Sequence, residues 1–315
     1  MDAVPQIFVE SVCLLLNRDS IWRSSWISSR WGKISSATIN KIHTLQVFVE
    51  MTTEKLYAFA HPTILEIDED VMWWQLDSVP LDSVDLKFIT KFRIEACWSV
   101  EDRPLPSTDI WKEISLTKVK RLCEFISPTT EGRSMCFDIG YCNKLEIKDA
   151  SIHKKLLSWR LAVDTVDLWI EREEFLPAVE EFLQNSGPLY SITSWYGNFT
   201  TSVDALIDKF VPVDGGIFSL HENTRLTKEQ LERLVLKCEL SNKKVTLVAC
   251  PEGATKSSEA TDFFDFDKYY GKKGVEEGEL IARREGAKLE LRVKSFLAGE
   301  FRWRWDAPEP KPFFH

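Results

Sequence analysis

The chain has 315 residues, 44% hydrophobic and 12% aromatic, which is enough apolar side chain for one large core or two moderate ones. Its net charge is -9 and its pI about 5.3, a balance that repels phosphate backbones and weighs against general nucleic-acid binding. Seven scattered cysteines (Cys13, Cys97, Cys123, Cys136, Cys142, Cys238 and Cys250) include no CxxC pair. That pattern predicts reduced core thiols in an intracellular protein, cytoplasmic or nuclear, and neither a disulfide framework nor a zinc site.

The start does not read as a secretory leader. Asp2 sits where a basic region belongs, and Gln6 and Glu10 interrupt the apolar run. No stretch approaches the ~18 apolar residues of a membrane span, so no membrane contact is expected. Without a secretory route, the triplet Asn198-Phe199-Thr200 reads as a chance match to a glycosylation site.

Pro5 fits the first turn of a helix, where a missing N–H costs nothing. Phe8, Val12, Leu15 and Leu16 then share one helical face. Asn17-Arg18-Asp19-Ser20 breaks the pattern, and a second helical stretch carries Trp22, Trp26, Ile27, Trp31 and Ile34. Val4-Pro5, this apolar helix, the polar break and Ser28-Ser29-Arg30-Trp31-Gly32-Lys33-Ile34 stand in the order of an F-box. The segment departs from that pattern at Gln6-Ile7-Phe8-Val9 and in its serine-rich middle. With the aromatic-rich body, it resembles the large nematode families of F-box-type proteins.

The resemblance implies a non-enzymatic, substrate-recruiting adaptor of a cullin–RING ubiquitin ligase. Its partners are then the ligase linker subunit and a target protein. Pro5, Phe8, Val12, Leu15, Leu16, Trp31 and Ile34 are the residues it implies for docking. The alternative is a standalone protein- or peptide-binding module in which the same helices cap the core.

Residues 45–100 read as strands. "LQVFVEM" and "KLYAFA" flank Thr52-Thr53-Glu54, a plausible hairpin. "ILEI" and "VMWW" follow, and at least one of Trp73 and Trp74 should be core. Phe92, Ile94 and Ala96 then alternate with Arg93 and Glu95, which predicts one buried and one wet face. "EDRPLPST" (101–108) reads as a loop and an internal boundary.

Thr117 can cap a helix bearing Val119, Leu122, Cys123 and Ile126. Strand-like and helix-like stretches then alternate to about residue 250. Leu145 and Leu156, Leu168 and Val179, Trp195 and Leu206, Leu220 and Leu231 mark four units with one strand-to-helix spacing. A strand plus a helix repeated in this way is similar to the leucine-rich-repeat class, and neighbouring units must stack to bury their faces. Leu145, Leu168, Trp195 and Leu220 should then be buried inward positions. An ordinary parallel α/β domain gives the same texture. Thr227 and Gln230 form a capping-box pair before the helix of Leu231.

Residues 253–280 read as a loop. "AKLELRVKSF" and "EFRWRWD" read as a hairpin around Leu297-Ala298-Gly299, with Phe301, Trp303 and Trp305 on one face and Arg302 and Arg304 on the other. "APEPKPFFH" is a short proline-rich tail.

Four segments result: an F-box-like helical segment (1–42), a β-rich segment (43–108), a βα repeat region (109–252), and a loop, hairpin and tail (253–315). The fold class is α/β. No GxGxxG, GxxxxGK[ST], GxSxG or HExxH is present. Asp262, Asp265 and Asp267 lack the glycine and terminal Glu of a calcium loop. His153 lies beside two lysines on a helix and reads as surface. His221 and Glu222 could serve acid–base chemistry, but no nucleophile is visible near them in sequence. Neither a catalytic centre nor a cofactor is expected.

Overall fold

The computed structural model describes residues 4–63, 78–97, 110–126, 137–195, 203–221, 224–296 and 299–308. The fold is α/β, and the chain divides into two compact units, residues 1–164 and 165–315. The 101–108 loop, Trp73, Trp74, Cys136, Asn198, Glu222, Asn223, Leu297, Ala298 and the proline-rich tail from residue 309 lie outside the described residues.

Unit 1 opens with helices α1 (Gln6–Leu15), α2 (Arg18–Ser25) and α3 (Arg30–Ile39). Pro5 is the residue that caps α1. The polar break has a local cause: Asn17 accepts a hydrogen bond from the Ser20 N–H and so starts α2.

Five strands follow: β1 (His43–Glu50), β2 (Leu56–Pro62), β3 (Ile89–Cys97), β4 (Lys112–Glu113) and β5 (Lys144–Lys148). Their order is β5-β3-β1-β2-β4, with β1 parallel to β3, β3 parallel to β5, and the other pairs antiparallel. The β1/β2 hairpin turns at Glu54, which adopts φ 54°. Its carboxylate accepts from the Ser151 N–H and hydroxyl at the start of α5 (Ser151–Leu157), and that bond holds its pKa down.

Leu45, Val47, Phe92, Ile94, Leu145 and Ile147 share the apolar face of this sheet and are fully buried. The opposite face of β3 is not wet as its alternation suggested. Glu95 is 3% exposed and Lys91 4%. Arg93 binds Glu95 at 3.0 Å, Gln46 donates to it at 3.3 Å, and Lys144 stands 3.6 Å away. β3 is a central strand, and Glu95 persists there because Arg93 and Gln46 pair with it, while the Lys91 ammonium lies 5.4 Å from the centroid of Tyr141.

Two further sequence expectations are corrected in unit 1. The cap of α4 (Leu116–Glu124) is Ser115, which accepts from the Lys118 N–H, and Thr117 lies inside the helix. His153 is not a surface residue but fully buried. Its Nδ1 accepts from the Lys148 N–H, and burial pushes its pKa down to about 4. The helix turns His153 inward with Ile152 and Leu156, so its lysine neighbours do not report its exposure.

Unit 2 begins with three βα steps: β6 (Thr165–Trp169) with α6 (Leu176–Asn185), β7 (Ser191–Trp195) with α7 (Val203–Lys209), and β8 (Gly216–Leu220) with β9 (Arg225–Leu226) and α8 (Lys228–Ser241). β10 (Val245–Pro251) follows, then α9 (Phe266–Tyr269), β11 (Lys272–Glu276), β12 (Glu279–Arg283), β13 (Glu290–Ser295) and β14 (Phe301–Asp306). The strand order is β6-β7-β8-β10-β14-β13-β12-β11. The β6/β7, β7/β8 and β8/β10 pairs are parallel, and the pairs from β10 onward are antiparallel. The capping box of Thr227 and Gln230 is present at α8.

The repeat register needs one correction. Leu168 pairs with Ser194, and Ser194 with Leu220, so Ser194 holds the inward position of the third step. Trp195 pairs with Trp169 on the opposite face and is half-buried. A one-residue shift on a strand changes the face, and the bulk of Trp195 concealed that shift. Leu145, Leu168 and Leu220 are buried as expected, as are the helix residues Val179, Leu206 and Leu231.

Residues 253–280 are not a plain loop. Phe264, Phe266 and Tyr270 are buried, and Phe266 stacks on Trp303 with centroids 5.7 Å apart. Tyr270 Oη and Trp305 Nε1 both donate to the buried Glu239 of α8 at 2.7 Å. Asp262 accepts from the Glu259 N–H and Asp265 from the Lys268 N–H, so both acids serve as caps.

Two outcomes follow from this packing. Leu231→Ala should destabilise the protein by ~2–5 kcal/mol, as other large-to-small core truncations do, and urea unfolding followed by tryptophan fluorescence will measure it. For His153, the folded pKa of about 4 lies below the ordinary 6.5. Between those values the unfolded chain binds the proton and the folded chain does not. Stability should therefore fall as pH drops from 6.5 toward 4, by at most about 1.4 kcal/mol per pH unit from this group. His153→Gln should flatten the dependence of the urea midpoint on pH in that window.

Candidate functional site

α1 is apolar nearly all the way round. Val9 and Cys13 face inward and form a cluster with Ile34, edged by Val4 and Trp31. Leu14 and Leu16 pack on a second cluster of Ile21, Ile42 and Tyr141. Ile7 (74% exposed), Phe8 (54%) and Leu15 (65%) are left facing solvent. At the end of α2, Trp26 (66%) and Ile27 (43%) add to them, with the Trp26 ring tilted at 59° against Trp22, centroids 4.1 Å apart.

The residues that the F-box resemblance singles out therefore divide. Pro5, Phe8 and Leu15 are exposed, Val12 and Leu16 are half-buried, Trp31 is half-buried, and Ile34 is buried. Trp31 and Ile34 tie α3 to α1. Ile7, Trp26 and Ile27 lie outside the periodic set, but exposure places them beside Phe8 and Leu15 as candidates.

Two concavities border these helices. One, of about 820 Å³, lies along α3 and the turn before it, lined by Ile27, Ser28, Ser29, Arg30, Lys33 and Ser36. Ser28, Ser29, Arg30, Gly32 and Lys33 of the Ser28–Ile34 stretch thus line an open surface, and Trp31 and Ile34 do not. The other, of about 260 Å³, lies between Leu14–Leu16, Ile89–Lys91, Phe125 and Tyr141. Its mouth carries Leu15 and the 78%-exposed Phe125. Lys91 on its wall has its pKa lowered by burial, and its ammonium lies 5.4 Å from the centroid of Tyr141.

In unit 2, alternation separates two faces of the parallel strands. Val166, Leu168, Ile192, Ser194, Phe218 and Leu220 are buried. Asp167, Trp169, Thr193, Trp195 and His221 point the other way and are half-buried. Trp169 stacks on Trp195 at 4.8 Å, and Trp195 stacks on His221 at 3.9 Å and 9°. His221 Nε2 lies 2.6 Å from Ser219 Oγ, and its Nδ1 lies 2.9 Å from Glu300 Oε2.

The acidic partner of His221 is therefore Glu300, while its sequence neighbour Glu222 lies outside the described residues. Ser219 was legible in principle as the residue two before His221 on one strand. Glu300 carried no local signal, being 79 positions away.

Among the described residues, no three His, Cys, Asp or Glu side chains are grouped to hold a metal ion. No described helix is long and apolar enough to cross a membrane. The chain matches no protein-family model, no curated protein and no solved structure.

Gly32 sets the angle at which α3 meets the turn before it, because an added Cβ would collide with the Ile27 carbonyl. Gly32→Ala should cost ~1–3 kcal/mol by overpacking and lower the melting temperature in a calorimetric scan.

Proposed function

We propose that the chain is a protein-interaction protein, a substrate-recruiting adaptor of a cullin–RING ubiquitin ligase. Its N-terminal helices are the docking element for the linker subunit. The observation that carries this reading is the pair of faces on α1. Val9 and Cys13 satisfy the helical unit's own core, yet Ile7, Phe8 and Leu15 stay in solvent. A small helical unit with a closed core and a second apolar face is suited to lie against a partner's groove. The open surface formed by Ser28, Ser29, Arg30 and Lys33 supplies a polar border beside Trp26 and Ile27.

The test separates docking from packing. The double variant Phe8→Ala/Leu15→Ala should lose ~30-fold or more in affinity for purified linker subunit, with little change in melting temperature, because both side chains are exposed. Trp31→Ala should lower the melting temperature, because Trp31 packs on Val9, Cys13 and Ile34. No measurable binding by the wild-type chain, or full binding by the double variant, removes the ligase reading. Such a result leaves the standalone binding module.

A further inference from the structure

We propose that Ser219, His221 and Glu300 form a nucleophilic acyl-transfer site that acts on a carboxylic ester with a small acyl group. The inference does not depend on the adaptor reading, since these residues belong to unit 2 and the docking helices to unit 1.

The geometry assigns a role to each atom. Ser219 Oγ stands 2.6 Å from His221 Nε2, and Glu300 Oε2 stands 2.9 Å from His221 Nδ1. A carboxylate accepts from an N–H, so the network assigns the imidazole proton to Nδ1. Nε2 then offers its lone pair to the Ser219 hydroxyl. A nucleophile in reach of a base, with that base oriented by a third group through its other nitrogen, is the arrangement that activates a serine.

The surroundings hold this arrangement in place. Ser219 lies on β8 and His221 just past its end, where its N–H still bonds to the Ser194 carbonyl at 3.0 Å, so the continued pleat sends both side chains to one face. Trp195 stacks on the imidazole at 3.9 Å and 9°, which fixes the ring plane. Trp195 is thus a positioning residue. Glu300 is placed by the turn before it: Gly299 adopts φ +78°, and a Cβ there would meet the Ala254 backbone at 2.9 Å. The Phe296 N–H closes that turn on the Glu300 carbonyl at 2.8 Å.

Ser219 is only 4% exposed, while the side chains of His221 and Glu300 are 18% and 24% exposed. The nucleophile is recessed and its base lies nearer solvent, which favours a small acyl group over a polypeptide. In the first step Ser219 Oγ bonds to the carbonyl carbon while His221 Nε2 takes the hydroxyl proton. The bond from carbon to the alkoxy oxygen then breaks, and the imidazolium returns that proton to the leaving alcohol. Water attacks the acyl-serine with His221 again as base. The proton passes to Ser219 Oγ, and a carboxylic acid leaves. No oxidant, reductant or further reactant enters.

The test uses the full chain and two small probes, a fluorophosphonate and p-nitrophenyl acetate. Wild type should be labelled by the fluorophosphonate, with the adduct located on Ser219 by peptide mass spectrometry. Ser219→Ala should abolish labelling and acetate-burst kinetics. Glu300→Gln should slow ester turnover ~10²-fold or more while keeping Ser219 present, because the imidazole loses its orienting anion. If Ser219→Ala fails to fold, the position of the adduct on wild type and the Glu300→Gln rate decide the matter. Folded wild type that takes no label, label on another residue, or equal rates for wild type and Glu300→Gln would overturn the proposal. The three residues would then be a brace between β8 and the turn before β14.

Discussion

On β8, Phe218 and Leu220 are buried without remaining exposure, and that burial forces Ser219 and His221 onto the other side of the strand. Much of unit 2 follows from this alternation. The parallel pairing of β7 and β8 sets Ser219 beside Thr193. The same pairing of β6 and β7 sets Trp195 beside Trp169. The stacked rings and the Ser–His–Glu chain then occupy one face as a consequence of where the apolar residues had to go.

The N-terminal helices follow a different rule. Residues 7, 8, 9, 12, 13, 14, 15 and 16 are all apolar, so α1 has more apolar surface than one partner face can cover. The α3 helix takes the Val9–Cys13 side, and the cluster of Ile21, Ile42 and Tyr141 takes Leu14 and Leu16. Ile7, Phe8 and Leu15 are what remains. Periodicity identifies such a helix but cannot say which side is inward, because almost every choice of face is apolar. Only the position of α3, fixed at Gly32 by the approach of the Ile27 carbonyl, decides it.

This separates what was legible in the residues from what was not. The hairpin of β1 and β2, the capping box at Thr227 and the Phe301/Trp303/Trp305 face are local patterns, and each stands where the pattern put it. The inward position of β7 was not legible, because a serine fills it and a tryptophan lies next to it. His153 was obscured by its neighbours in sequence, although the helix face it shares is set three and four residues away. Glu95 was misplaced because alternation reports polarity, whereas burial on a central strand depends on what pairs across it. The exposed apolar patch was half legible: the face of Phe8 and Leu15 came from spacing, while Ile7, Trp26 and Ile27 needed the exposure of the folded helices.

Buried carboxylates distinguish a brace from a proton path. Glu95 receives donors directly from Arg93 and Gln46. Glu239 receives them from Tyr270 and Trp305, and Glu290 from Arg283 and Arg292. Glu95 and Glu239 join residues far apart in sequence, Glu290 ties β12 to its neighbour β13, and a permanent donor is sufficient for either purpose. Glu300 is built differently. Its partner is an imidazole, whose second nitrogen is committed to a hydroxyl rather than left to a backbone carbonyl. A brace gains nothing from that second contact, since a lysine or arginine would hold the carboxylate more strongly. A hydroxyl, a base that can take its proton, and an anion that steadies the charged base form a directed sequence. That direction, rather than the presence of three polar residues, gives the serine of β8 a chemical role.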